Sequence, residues 1–126
     1  MTIIAVTRKP TSAELNLLAT LWEIGPATVR QVHDAVSKKQ NSGYTTVLKI
    51  LQIMFNKGFV NRDESMRAHV YSTKVSANQT QADLIKDLIN SAFSGSSKQL
   101  VLQALNQIKS KTDVADIMQV LEQQLA

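Results

Sequence analysis

The chain has 126 residues, a formal net charge of +4 and no cysteine. That length is enough for one or two small domains, and the missing cysteine excludes disulfides, zinc–thiolate sites and thiol catalysis together. The opening MTIIAVTRKP has an apolar run with no basic segment before it. The run falls far short of the roughly 18 residues of a membrane span. Neither a signal peptide nor membrane insertion is therefore expected, and a cytoplasmic location is.

Charge is unevenly spread. Residues 1–75 hold ten Lys/Arg against five Asp/Glu, a net +5, whereas residues 76–126 hold four against five, a net −1. A basic first half points to a polyanion as partner for that half alone.

In chain order, Thr11-Ser12-Ala13-Glu14 has the form of a capping box. Leu15, Leu18 and Trp22 follow at helical spacing with Ala19 and Leu21 beside them, and Gly25-Pro26 ends the helix. Thr28-Val29-Arg30-Gln31 is a second capping box; Val29, Val32 and Val36 form its helix's stripe, which dissolves in Lys38-Lys39-Gln40-Asn41. Ser42 is the expected N-cap of a third helix. Its inward stripe is Val47, Ile50, Leu51, Met54 and Phe55, and its polar face carries Thr45, Lys49, Gln52 and Asn56, with Tyr44 and Thr46 in the first turn. Lys57-Gly58 stops it. Strands are expected over 59–62 and 67–73, joined by the four residues 63–66.

After Thr73 the texture is purely helical. A helix over 76–93 carries Ala82, Ile85, Leu88, Ile89, Ala92 and Phe93; Ser94-Gly95-Ser96 breaks it. Leu100, Val101, Ala104, Leu105 and Ile108 mark a second helix, and Thr112-Asp113 caps a third bearing Val114, Ile117, Met118, Leu121 and Leu125. The expected domains are thus 1–75 and 76–126. Some fifty residues in three helices fall below the usual self-sufficient core. A second copy of the chain is the simplest surface to cover those stripes. Ile85, Leu88, Leu105 and Leu121 are the residues expected at or near a shared homodimer core.

A helix running into an arginine-edged β-hairpin is the pattern of a winged helix-turn-helix. The expected fold class is mainly α with a small β-hairpin: a winged helix-turn-helix DNA-binding domain plus a C-terminal helical dimerisation domain. On the third helix, Lys49 can reach a guanine edge or a phosphate, and Thr45 and Thr46 a phosphate or a thymine methyl; Tyr44 stands in the same exposed turn. Thr28 and Arg30, opening the second helix, and Arg67 in the hairpin are candidate backbone contacts. Arg62 is the weaker hairpin candidate, since Asp63 or Glu64 can pair with it, and Arg8-Lys9 could form an N-terminal arm. His33 and His69 lie 36 positions apart with no ligand-spaced partner, so no metal is expected. No phosphate loop, paired carboxylates or Ser-His arrangement stands out, so no cofactor and no enzymatic activity are expected. The competing reading is a winged-helix protein-interaction module that never touches DNA.

The stretch from Ser12 to Tyr71 resembles the penicillinase-repressor family, the BlaI/MecI type of bacterial winged-helix regulators. The resemblance rests on AELNLLATLWEIGPATVRQV, YTTVLKILQIMFNKGFVNR and RAHVYS taken in that order, and AFSGSSKQLVLQAL is similar to the family's dimerisation segment. It implies a homodimer that binds palindromic operators in double-stranded DNA, represses transcription, and is released by proteolysis linked to a membrane sensor metalloprotease. It also places Thr45, Thr46 and Lys49 at DNA-reading positions and Arg67 at the wing arginine. Family members often carry a basic residue near position 45, where this chain has Thr. The usual Asn-Phe cleavage dipeptide falls at Gln103-Ala104, and the C-terminal cysteine cluster of copper-responsive relatives is absent.

Overall fold

Two capping boxes start the fold. Thr11 Oγ1 accepts from the Glu14 N–H (3.1 Å) while Glu14 Oε1 accepts from the Thr11 N–H (2.9 Å), opening helix α1 over Ser12–Ile24. The same exchange between Thr28 and Gln31 opens α2 over Val29–Ser37. Gly25, at φ +83°, ends α1 in a conformation that L side chains rarely adopt. Helix α3 spans Tyr44–Lys57 and is closed by left-handed Gly58 at φ +88°. Its N-cap is Gly43 with no side-chain cap, not Ser42. The Ser42 hydroxyl is instead met by Gln40 Nε2 (3.3 Å) and its carbonyl by His33 Nε2 (2.8 Å). The computed structural model describes residues 9–126, so Arg8 of the expected N-terminal arm lies outside the described residues.

The sheet has three antiparallel strands, β1 Ala27–Thr28, β2 Val60–Asp63 and β3 Val70–Thr73, in the order β1-β3-β2. Three features differ from expectation, the first being β1, where no strand was expected. The connection runs from Glu64 to His69, because Asp63 Oδ1 accepts from the Ser65 N–H (2.9 Å) and turns the chain there; Arg67 thus sits in the turn and not in a strand. Phe59 belongs to the helix stop, its N–H donating to Met54 O (3.0 Å), so β2 starts one residue later than expected. The short β1 pairs Ala27 with Tyr71 and Thr28 with Val70, which ties the hairpin to the start of α2.

The stripes of α1, α2 and α3 meet in one core with Val60 and Tyr71 from the hairpin. In α1 the buried residues include Leu17, Leu18 and Leu21, while Ala19 is exposed and Leu15 only half-buried, so the inward face is rotated from the Leu15–Leu18–Trp22 line. Glu14, 3% exposed, points inward and pairs with Lys57 Nζ at 2.8 Å, joining the start of α1 to the end of α3. Burial alone pushes the Glu14 carboxyl pKa up, but the Lys57 ammonium and the Thr11 backbone and hydroxyl outweigh it and hold it below its ordinary value.

Three further helices follow: α4 Ala77–Ala92, α5 Ser97–Leu105 and α6 Lys111–Leu125. Helix α6 is capped by Ser110, whose Oγ accepts from the Asp113 N–H (3.3 Å), rather than by Thr112-Asp113. The chain packs as two compact units, Met1–Leu84 and Ile85–Ala126, so the division falls inside α4 and not after residue 75. The first unit reaches that far because Trp22 Nε1 donates to Val75 O (3.1 Å) and Thr80 is buried. In the second unit no residue is buried, and Leu88, Val101, Leu102, Leu105, Val114, Met118 and Leu121 are exposed.

Candidate nucleic-acid interface

Helix α3 presents one face to the core and one outward. Val47, Leu51 and Met54 are buried, while Thr45, Thr46, Lys49, Gln52 and Asn56 are exposed. Beside the outer face lies an open groove of about 420 Å³. Its walls include Thr28 and Arg30 from the start of α2, Tyr44 and Gln52 from α3, and Arg67 and His69 from the hairpin turn. Four of the residues singled out in the sequence thus converge: Thr28, Arg30, Tyr44 and Arg67. Thr45, Thr46 and Lys49 do not line the groove but stand on the exposed surface of α3. Gln52 and His69 are groove residues that were not expected as contacts. Gln52 is visible in the sequence on the polar face of α3, but His69 is brought in only by the shape of the turn.

Some cations of this unit are already paired. Lys57 is bound to Glu14, Lys39 lies 3.7 Å from Glu23, and Arg62 is held by Glu64 at 2.6 Å from both Nε and Nη2. Arg62 also lies over the Phe55 ring at 4.0 Å, and the Tyr71 hydroxyl and Glu64 carboxylate raise its pKa. Its guanidinium therefore fastens β2 to its surroundings. Arg30, Lys49 and Arg67, like Lys38 and Lys74, have no carboxylate partner among the described residues. Arg30 lies over the Tyr44 ring at 5.4 Å, which limits its freedom while leaving its N–H edges available. Thr28 is differently committed, since its hydroxyl already caps α2. Unpaired cations beside exposed hydroxyl and amide groups are the chemistry that meets a sugar–phosphate backbone.

Among the described residues, no group of three or more His, Cys, Asp or Glu could hold a metal ion, and no helix is long and apolar enough to cross a membrane.

A helix-turn-helix made by α2 and α3, with the β2–β3 hairpin as wing, gives the first unit the winged-helix fold. The penicillinase repressor family model matches residues 10–123, and the chain belongs to that family. It is 36% identical over 90 residues to the transcriptional regulator BlaI of Mycobacterium tuberculosis; the match covers 71% of this chain and 65% of that protein's length, under two thirds of it. Among solved structures it is similar in fold to a mutant of MarR from Escherichia coli complexed with operator DNA. That likeness has 16% identity and a TM-score of 0.52 and covers 92% of this chain and 76% of that one. The solution structure of the Bacillus licheniformis BlaI monomer with a half-operator overlaps 56% of this chain and 87% of that one, at 21% identity and a TM-score of 0.49.

Proposed function

We propose that this protein is a dimeric, sequence-specific DNA-binding transcriptional repressor of the penicillinase-repressor type. The observation that carries the reading is the convergence of unpaired Arg30 and Arg67 with Tyr44 in one groove beside the exposed face of α3. Helix α3 enters the major groove, with Thr45, Thr46 and Lys49 toward the bases and nearby phosphates. Arg30 and Arg67, which share one groove beside that helix, hold the neighbouring backbone, Arg67 from the wing. Family membership and the named BlaI relative support the same reading.

The exposed apolar residues of α4 to α6, among them Ile85, Leu88, Leu105 and Leu121, support a second copy as the covering surface. Two copies related by a two-fold axis match a palindromic operator, and joining two half-sites raises affinity through effective concentration. Gln103 and Ala104 are exposed near the end of α5. A cut there severs α6 and its Val114, Met118 and Leu121 from the rest, which removes apolar area worth about 25 cal/mol per Å² from the shared face. Proteolysis near Gln103 is thus a mechanically sufficient release. With Gln103-Ala104 in place of the Asn-Phe that the family's membrane sensor metalloprotease system cuts, it needs a protease of different specificity. The other branch is an inducer that does not cut.

The test is a salt titration of binding to duplex DNA from the region upstream of the protein's own gene. Each phosphate contact should add about 0.9 to the slope of log affinity against log salt. Absence of binding, or binding indifferent to salt, favours the protein-interaction module instead.

A further inference from the structure

Helices α1 and α2 are started by their own threonine caps, but α3, the helix proposed to read DNA, has no side-chain cap at all. What holds its start comes from α2. His33 Nε2 donates to the carbonyl of Ser42 at 2.8 Å, one residue before the Gly43 N-cap. The partner is a carbonyl, so that nitrogen carries the proton; Ser37 Oγ lies 3.3 Å from it. The same imidazole meets the Tyr44 ring edge-on, with centroids 5.8 Å apart and planes at 73°. One turn earlier on α2, Arg30 covers Tyr44 at 5.4 Å. Tyr44, the first residue of α3, is therefore held by two side chains of α2, one of which is also hydrogen-bonded to the Ser42 carbonyl two residues earlier.

A second observation says that the imidazole is not there for packing alone. Its Nδ1 is buried without a hydrogen-bond partner, with the Asp34 carboxylate no nearer than 3.8 Å. Buried polar atoms are normally paired, and an apolar ring would fill this place without an orphan. We propose that His33 is a positioning residue for DNA recognition: through Ser42 and Tyr44 it sets where the first turn of α3, with Thr45 and Thr46, meets the DNA. This rests on the DNA-binding reading above.

The test compares His33→Phe, which keeps a ring and loses the donor, with His33→Gln, whose amide nitrogen can take the place of Nε2. Full-length proteins are titrated with the upstream duplex and with a random-sequence duplex of equal length, and each is melted thermally. His33→Phe should lose roughly tenfold in the ratio of specific to random binding, the worth of one well-placed hydrogen bond, and His33→Gln should recover most of it. General loss of structure would lower both affinities in step with the melting point, and that outcome overturns the proposal. So does a His33→Phe ratio equal to wild type. Tyr44→Leu provides a variant at a 40% exposed position, outside the core. It should lower the same ratio, and an unchanged ratio counts against these contacts. A wild-type protein that prefers neither duplex defeats the DNA-binding reading itself, and is seen before any variant is measured.

Discussion

The two units of this chain are written with the same helical periodicity and end up in opposite states. In the first, Leu18, Val32 and Leu51 come from three different helices and are each fully buried in one core. In the second, α5 and α6 contain no buried residue, and Leu105 and Leu121 are 40% and 50% exposed. The difference is one of closure. Three helices and a hairpin can surround a core, whereas helices of similar length without a sheet leave their stripes in water. The first unit therefore closes over its own core, and the second leaves its apolar residues uncovered.

The largest expected effect comes from breaking that second surface. Leu88→Asp combined with Leu121→Asp places charges on the exposed stripes without touching the first unit's core. Affinity for the upstream duplex should fall by about 10²–10⁴-fold as the second half-site becomes an independent event. Anisotropy titration measures the loss, and an undiminished affinity removes the reason to assign the stripes to a second copy.

Next is the ion pair that closes the first unit. Lys57→Ala leaves the buried Glu14 with Thr11 as its remaining partner and should cost about 3 kcal/mol, the low end for a broken buried pair. The pair also fixes a pH dependence. The Glu14 pKa is lowered by folding, so its contribution is present above the carboxyl's ordinary value and is lost as pH falls through the lowered one. Thermal melts of wild type should drop on acidification more steeply than those of Glu14→Gln over that acidic window. Parallel curves argue that the pair contributes nothing.

The same truncation made in each unit sharpens the contrast. Leu51→Ala should cost about 2–5 kcal/mol, because a fully enclosed site cannot collapse. Leu121→Ala, measured on a monomeric Leu88→Asp background, should stay within about 0.5 kcal/mol. Equal costs from chemical denaturation indicate that Leu121 is enclosed within its own chain.

Smaller effects separate reading from anchoring within the first unit. Lys49→Ala should cost roughly 1–3 kcal/mol on the preferred sequence and little on random DNA. Arg67→Ala should weaken both alike and flatten the salt slope by about one contact's worth, near 0.9.

Legibility in the sequence follows the range of the interactions. Both threonine capping boxes and the stripe of α3 are readable because their partners lie within a few residues. The strand at Ala27–Thr28 is not, since two residues carry no periodicity and the strand exists only through its register with Tyr71 and Val70. The inward rotation of α1 is hidden for a related reason. Glu14 reads locally as part of a cap, and its place on the buried face with Leu17, Leu18 and Leu21 emerges only with its long-range pairing to Lys57. Of the candidate site, Thr28, Arg30, Tyr44 and Arg67 are legible from their places near helix starts and in the hairpin, and the fold brings them to one groove. Gln52 and His69 as groove walls, and His33 as the support of Tyr44, depend on how α2, α3 and the turn pack. No residue spacing encodes that.

The contrast between a closed unit and an open one is tested most directly by sedimentation equilibrium of the full-length protein, free of DNA, at micromolar concentration. A species of twice the chain mass, reverting to the single chain in the Leu88→Asp, Leu121→Asp variant with its thermal melt retained, is the expected result. A wild-type protein that sediments as a single chain across the micromolar range contradicts it.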